Sequence, residues 1–272
     1  MSATALGKQD GGAPLNYIIS LSFFGVFVAA LIFTVALTAF ALLMLRMFHR
    51  RLAKEPLSIP VPPFIAAIAT AWALSIGFVA ADIWTINAKA ENAAAQERSA
   101  IVRLAGSSRA GSLDKPLLKE ALRNYAEAST LYEWQARSNS EPAPEVEQAL
   151  QRIREMITGD ELADLAPALL AKVVNDFDQL QDSRELRLGI GARSVNNYRW
   201  YLVFALTLLT LVSIAATHAD RPAAGRNAIL IFTTTAVVCI WILVLHANPY
   251  HGVEGIGPGE VNILPQAVAV AS

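Results

Sequence analysis

Side chains able to ligate a metal, move a proton or attack a substrate are few in this sequence, and their spacing fits no familiar reaction centre. The four histidines are His49, His218, His246 and His251, the last two on either side of Pro249. Two histidines share a helical face when roughly three or four positions apart. His246 and His251 are wider than that, so interfacial imidazoles holding no metal are expected. No P-loop, glycine-rich dinucleotide turn, cysteine pair, HExxH or nucleophile elbow occurs. With no nucleophile, base and metal to combine, a non-enzyme without cofactor or metal is expected. Cys239, the single cysteine, lies in an apolar block and serves as a small hydrophobe. Asp82 is the acid with most potential. Near the end of an apolar block, it either faces a water-filled or protein-lined space, with Lys89 or Arg199 as partner, or sits at headgroup level beside Trp84. Thr233, Thr234 and Thr235 can bond back to their own helix or face a neighbour, and are candidates for a permeation lining. Trp72, Trp84, Trp200, Tyr201 and Trp241 read as membrane-belt or packing residues.

The elements that must position these residues are dictated by solvent. Of the 272 residues 54% are hydrophobic and 17% charged, the net charge is −1, and the mean hydropathy is +0.40. Those values exclude a nucleic-acid footprint and favour a membrane protein. The apolar residues form long blocks, whereas most charges fall between Ala88 and Arg199. A helix needs roughly 20 apolar residues to cross the hydrocarbon. Four spans are expected: Leu15 to Met47, Phe64 to Trp84, Trp200 to Thr217 and Ala228 to His246. The first is too long for the apolar core of a signal peptide, and Arg46, Arg50, Arg51 and Lys54 follow it rather than precede it, so an uncleaved anchor is expected. Prolines from Pro56 to Pro63 break the chain before the second span, and a polar turn with Asp220, Arg221, Pro222 and Gly225 joins the last two. The fold class is all-α: a polytopic membrane protein with a helical-bundle domain inserted between helices two and three. The boundaries are an N-terminal tail 1–14, spans 15–87, an extramembrane domain 88–198, spans 199–247 and a C-terminal tail 248–272.

Within the inserted domain the apolar residues recur at helical spacing. The helix leaving span two carries Ala94, Ile101 and Leu104 and stops in the Gly106 to Gly111 stretch. A second, with Pro116 in its first turn, aligns Leu118, Leu122, Tyr125, Ala128 and Tyr132. A third aligns Val146, Leu150, Ile153 and Ile157 and ends at Gly159. A fourth, opened by Asp160 or Asp164, aligns Leu165, Leu169, Val173, Phe177 and Leu180, then returns to the membrane through Arg184 and Arg187. Basic residues concentrate in the short loops (Arg46, Arg50, Arg51, Lys54, Arg221, Arg226), while the tails hold only Lys8. The positive-inside rule then puts those loops in the cytoplasm and the domain on the far side of the cell membrane.

In chain order, Leu74 to Phe78, Trp84, Glu97, Arg103 to Ala105, Tyr125, Glu133-Trp134, Arg184, Arg187-Leu188 and Pro249-Tyr250-His251-Gly252 resemble the bestrophin-like bacterial four-span family. Glu97, Tyr125, Glu133, Trp134, Arg187, Pro249, Tyr250 and Gly252 are its motif positions. The resemblance implies a homo-oligomer in the bilayer. It also implies, by analogy with bestrophins proper, which are pentameric anion channels with a hydrophobic neck on the second helix, a pore lined by Ile76, Val79 and Ile83, with Asp82 beside them. Only Glu254 and Glu260 stand where animal bestrophins carry an acidic calcium clasp. The expected function is an anion channel. The alternative is a non-conducting sensor or assembly partner whose helical domain binds a protein or small ligand.

Overall fold

The structure, a computed structural model, describes residues 23–52, 62–107, 116–136, 139–162, 165–192, 197–250 and 255–257. Lys54, Asp164, His251, Gly252 and the apolar stretches of the C-terminal tail lie outside the described residues. Those described form helices α1 (Phe23–Leu52), α2 (Pro62–Ser107), α3 (Pro116–Ala128), α4 (Pro144–Thr158), α5 (Pro167–Gly191), α6 (Asn197–Thr217) and α7 (Pro222–Leu245), and contain no strand. A π-helical segment, Ser129–Gln135, follows α3, and a 3-10 turn, Asp160–Leu162, follows α4. Four helices, α1, α2, α6 and α7, are long and apolar enough to cross a membrane. Five of the helices open on proline (α2, α3, α4, α5 and α7), because the first turn needs no amide donor and proline's φ is already helical.

The described residues fall into two compact units. One comprises those within Met1–Ile83 and Val195–Ala247, the other those within Trp84–Ser194 and Asn248–Ser272. In the membrane unit α1 packs against α6 and α7. Leu37, Ala41 and Leu45 meet Leu211, Ile214, Ala215, Ile229 and Val237. Gly225, expected in a turn, is inside α7 and allows close approach: a Cβ there would come within 2.8 Å of His218 Cβ and 3.0 Å of Leu45 Cδ1. Trp72 donates through Nε1 to Thr207 Oγ1 at 2.9 Å and meets Phe232 edge-on. The hydroxyls of Thr207, Thr210, Ser213, Thr217 and Thr235 each donate to a carbonyl four residues back, so these five are satisfied within their own helices. Thr233 Oγ1 is buried without a hydrogen-bond partner, and Thr234 is exposed.

The extramembrane unit packs α2 beyond Trp84, α3, α4 and α5 around one apolar core that includes Ile101, Leu104, Leu118, Leu122, Tyr125, Leu150, Ile153, Phe177 and Leu180. Two expectations are corrected here. Tyr132 is 41% exposed rather than on the inner face of α3. The π segment inserts an extra residue per turn, which rotates the register so that Ser129, Thr130, Glu133 and Trp134 point inward instead. The last domain helix opens at Pro167 after Ala166, with no side-chain cap, while Asp160 begins the 3-10 turn. Leu169 is consequently exposed, whereas Val173, Phe177 and Leu180 are buried.

Candidate functional site

The π segment brings its inward side chains to the polar centre of the extramembrane unit. Arg187 on α5 is 0% exposed, as are Glu97 on α2 and Glu133 on the π segment. Arg187 Nε donates to Glu97 Oε2 at 2.6 Å, and its Nη2 to Glu97 Oε1 at 3.1 Å, Glu133 Oε2 at 2.9 Å and Ser129 Oγ at 3.2 Å. Its Nη1 donates to Asn139 Oδ1. One turn earlier on α5, Arg184 donates through Nε to both oxygens of Glu133, at 3.1 and 3.2 Å, and through Nη1 to Glu147 at 2.8 Å. The Tyr125 hydroxyl donates to Glu97 Oε1 at 2.7 Å, and the Ala143 amide to Glu133 Oε1 at 3.2 Å.

Two buried carboxylates thus face two buried guanidiniums, and the cluster carries no net charge. Burial works against the Arg187 charge, but Glu97 and Glu133 hold the guanidinium above its ordinary value. Burial and the Glu97 charge push the Tyr125 phenol well above its usual range, so it stays a donor. The Arg187 guanidinium lies 5.0 Å from the centre of the Trp134 ring, which also meets the Tyr250 ring edge-on at 5.4 Å. Next to Tyr250, the Ile256 amide donates to the Pro249 carbonyl oxygen at 2.8 Å. Burial also raises the Tyr250 phenol above its ordinary value. The two arginines, the two buried carboxylates, Ser129 and the Tyr125 hydroxyl hold the helices to one another and fix their register, while Trp134 Nε1, Asn139 Nδ2 and the Tyr250 hydroxyl are buried without a hydrogen-bond partner.

Of the motif positions, Glu97, Tyr125, Glu133, Trp134, Arg187 and Tyr250 therefore meet in one cluster, with Pro249 buried beside it. Arg184, read from sequence as part of the return to the membrane, is a full member. Asn139 was not expected. It occupies the left-handed region at φ 58°, and Gly191 lets the chain pass it, since a Cβ on Gly191 would fall 2.0 Å from the Asn139 carbonyl oxygen. A left-handed asparagine followed some fifty positions later by a glycine leaves no trace in local pattern.

In the membrane unit the second-span candidates point different ways. Asp82 pairs with Arg199, one of the two partners expected, while Trp84 is exposed. Val79 and Ile83 are each 1% exposed, packed inside the chain, and Ile76 is half-buried. The open face of α2 carries Ala67, Thr70, Ala71, Leu74, Gly77, Phe78 and Ala81. Leu74 and Phe78 are 58% and 67% exposed, and nothing lies within 4 Å of a Cβ built on Gly77. Ala66 and Ala73 beside these residues are exposed as well.

The Bestrophin-like domain model matches residues 23–260. Solved structures of a bacterial Bestrophin homolog from Klebsiella pneumoniae, each a point mutant, have the same fold. One is 13% identical with a TM-score of 0.68, covering 90% of this chain and 98% of that one. Another is 11% identical with a TM-score of 0.67, covering 87% and 99% respectively. A structure described as that of a membrane protein is also 11% identical, with a TM-score of 0.67 over 88% of this chain and 98% of its own. No curated protein matches the chain. With four apolar helices, an inserted helical unit and a family match over most of its length, this multi-pass membrane protein belongs to the Bestrophin-like family.

Proposed function

We propose that the protein assembles as a homo-oligomeric ring and conducts anions, with the open face of α2 lining the path. The observation that carries this reading is the contrast between the exposed faces of the spans. α1 exposes Phe24, Phe27, Leu31, Ile32, Val35 and Leu43, a surface made for acyl chains. α2 exposes alanine, glycine and threonine around Leu74 and Phe78, a surface that favours close approach of other subunits around an axis. Leu74 and Phe78 are the constriction candidates, replacing the inward-packed Val79 and Ile83, and a hydrophobic ring of this kind gates by dewetting. Within the extramembrane unit α2 presents Asn92, Gln96 and Ser99 to an open groove of about 440 Å³ bordered by Gln179 and Asp182, a polar surface suited to hydrated ions.

In the sensor or assembly-partner alternative the helical domain binds a protein or small ligand; most of the apolar faces of its helices pack into its own core, with Leu117, Leu131, Leu169 and Leu186 left exposed. The reading also places the protein in the cytoplasmic membrane with the helical domain outside the cytoplasm, following the arginines of the short loops. A reporter inserted after Ser140 distinguishes the two orientations. The function is tested by halide and cation flux through liposomes holding the purified protein, beside Leu74→Ala/Phe78→Ala. Halide flux that the double variant alters is expected. Tight vesicles at high protein loading would overturn the reading.

A further inference from the structure

Five arginines gather at one end of the membrane unit: Arg46, Arg50 and Arg51 in the last turns of α1, Arg221 just before α7 and Arg226 in its first turns. The α6–α7 turn is held against α1 at this end, with His49 Nδ1 2.8 Å from the Ala219 carbonyl oxygen and Gly225 against Leu45. Among the described residues the only carboxylate here is Asp220, 3.3 Å from Arg221. Arg46, Arg50 and Arg51 are exposed and have no acidic partner among the described residues. They border an open groove of about 450 Å³ whose remaining lining is Leu43, Met44 and Met47.

A cationic rim on an apolar floor, at the end of a membrane span, has the two-part chemistry of a lipid. Guanidinium forks match phosphate oxygens in bidentate fashion. Basic pockets at this depth gather anionic headgroups. Leu43, 60% exposed, and the two methionines would gain nothing from a free inorganic anion. We propose that this groove binds an anionic phospholipid of the surrounding bilayer, its headgroup phosphate on Arg46, Arg50 and Arg51 and the start of an acyl chain along Leu43, Met44 and Met47. The site is independent of conduction.

The test is native mass spectrometry of the full-length protein in neutral detergent, titrated with phosphatidylglycerol and chain-matched phosphatidylcholine. The wild type is expected to retain phosphatidylglycerol about ten-fold better or more. Arg46→Gln/Arg50→Gln/Arg51→Gln should bring that preference to about two-fold or below, and Arg50→Gln alone, at an exposed position, should cut it about three-fold. Millimolar inorganic phosphate should leave the bound lipid in place. Equal retention of the two lipids, a preference unchanged in both variants, or displacement of the lipid by inorganic phosphate would each overturn the proposal.

Discussion

Replacing Arg187 by methionine keeps the apolar stem and removes the charge on which the extramembrane unit converges. Glu97 would lose both guanidinium bonds, at 2.6 and 3.1 Å, and keep only the Tyr125 hydroxyl at 2.7 Å. Glu133 would keep Arg184 and the Ala143 amide. The buried centre would pass from neutral to one net negative charge at a carboxylate with no solvent exposure. Removing one member of a buried pair costs about 3–5 kcal/mol, a large part of the roughly 5–15 kcal/mol that stabilises a typical domain. The assay is thermal loss of near-ultraviolet circular dichroism together with limited proteolysis of the full-length protein in detergent. Arg187→Met should melt well below wild type and be cut within the extramembrane unit. Glu97→Gln/Arg187→Met, which restores neutrality, should recover at least about half of the loss, because replacing a buried ion pair whole is far less costly than orphaning one partner. If Arg187→Met melts within about 0.5 kcal/mol of wild type, or the double variant is as unstable as the sum of the two singles, the coupling argued from these distances does not exist.

Two further outcomes follow from the same unit. Burial pushes the Asp176 carboxyl up, but hydrogen bonds from Lys172 at 2.8 Å and Arg103 at 2.7 Å outweigh it and hold the carboxyl below its ordinary value. Its stabilisation is therefore complete above the unfolded value of about 4 and lost as pH falls through the lower folded value. Asp176→Asn should cost about 1–2 kcal/mol at pH 7 and converge on wild type in acid; a gap that persists at the acid limit would contradict the assignment. Gly191→Ala should destabilise by about 1–3 kcal/mol, since the new methyl meets the Asn139 backbone rather than a movable side chain. A melting temperature equal to wild type would show that the two segments do not pass so closely.

The spans were legible because lipid forces long apolar runs, and α6 and α7 depart from the expected limits only at their first turns. The amphipathic faces of α3 and α4 were legible for the same periodic reason, until the π segment shifted the register and exposed Tyr132. The buried cluster was legible only in part. Arg184 and Arg187 look like cations at a membrane junction, because the acids that neutralise them lie 51 and 90 positions upstream and no local pattern joins them. The resemblance pointed to Glu97, Glu133 and Arg187 one by one, but their meeting needed the fold. Along the second span, composition marks small residues without saying which of them face inward. Val79 and Ile83 therefore looked as open as Leu74 and Phe78.

If the open face of α2 lines an aqueous path, thiol accessibility reports it, and the measurement is simple in a chain whose one cysteine, Cys239, can be replaced by alanine. In that background, Leu74→Cys, Phe78→Cys and Ala81→Cys should react with a charged, membrane-impermeant thiol reagent in liposomes and change halide flux, while Val79→Cys should not. Unreactive cysteines at 74, 78 and 81, or modification there that leaves flux untouched, would contradict a pore on this face.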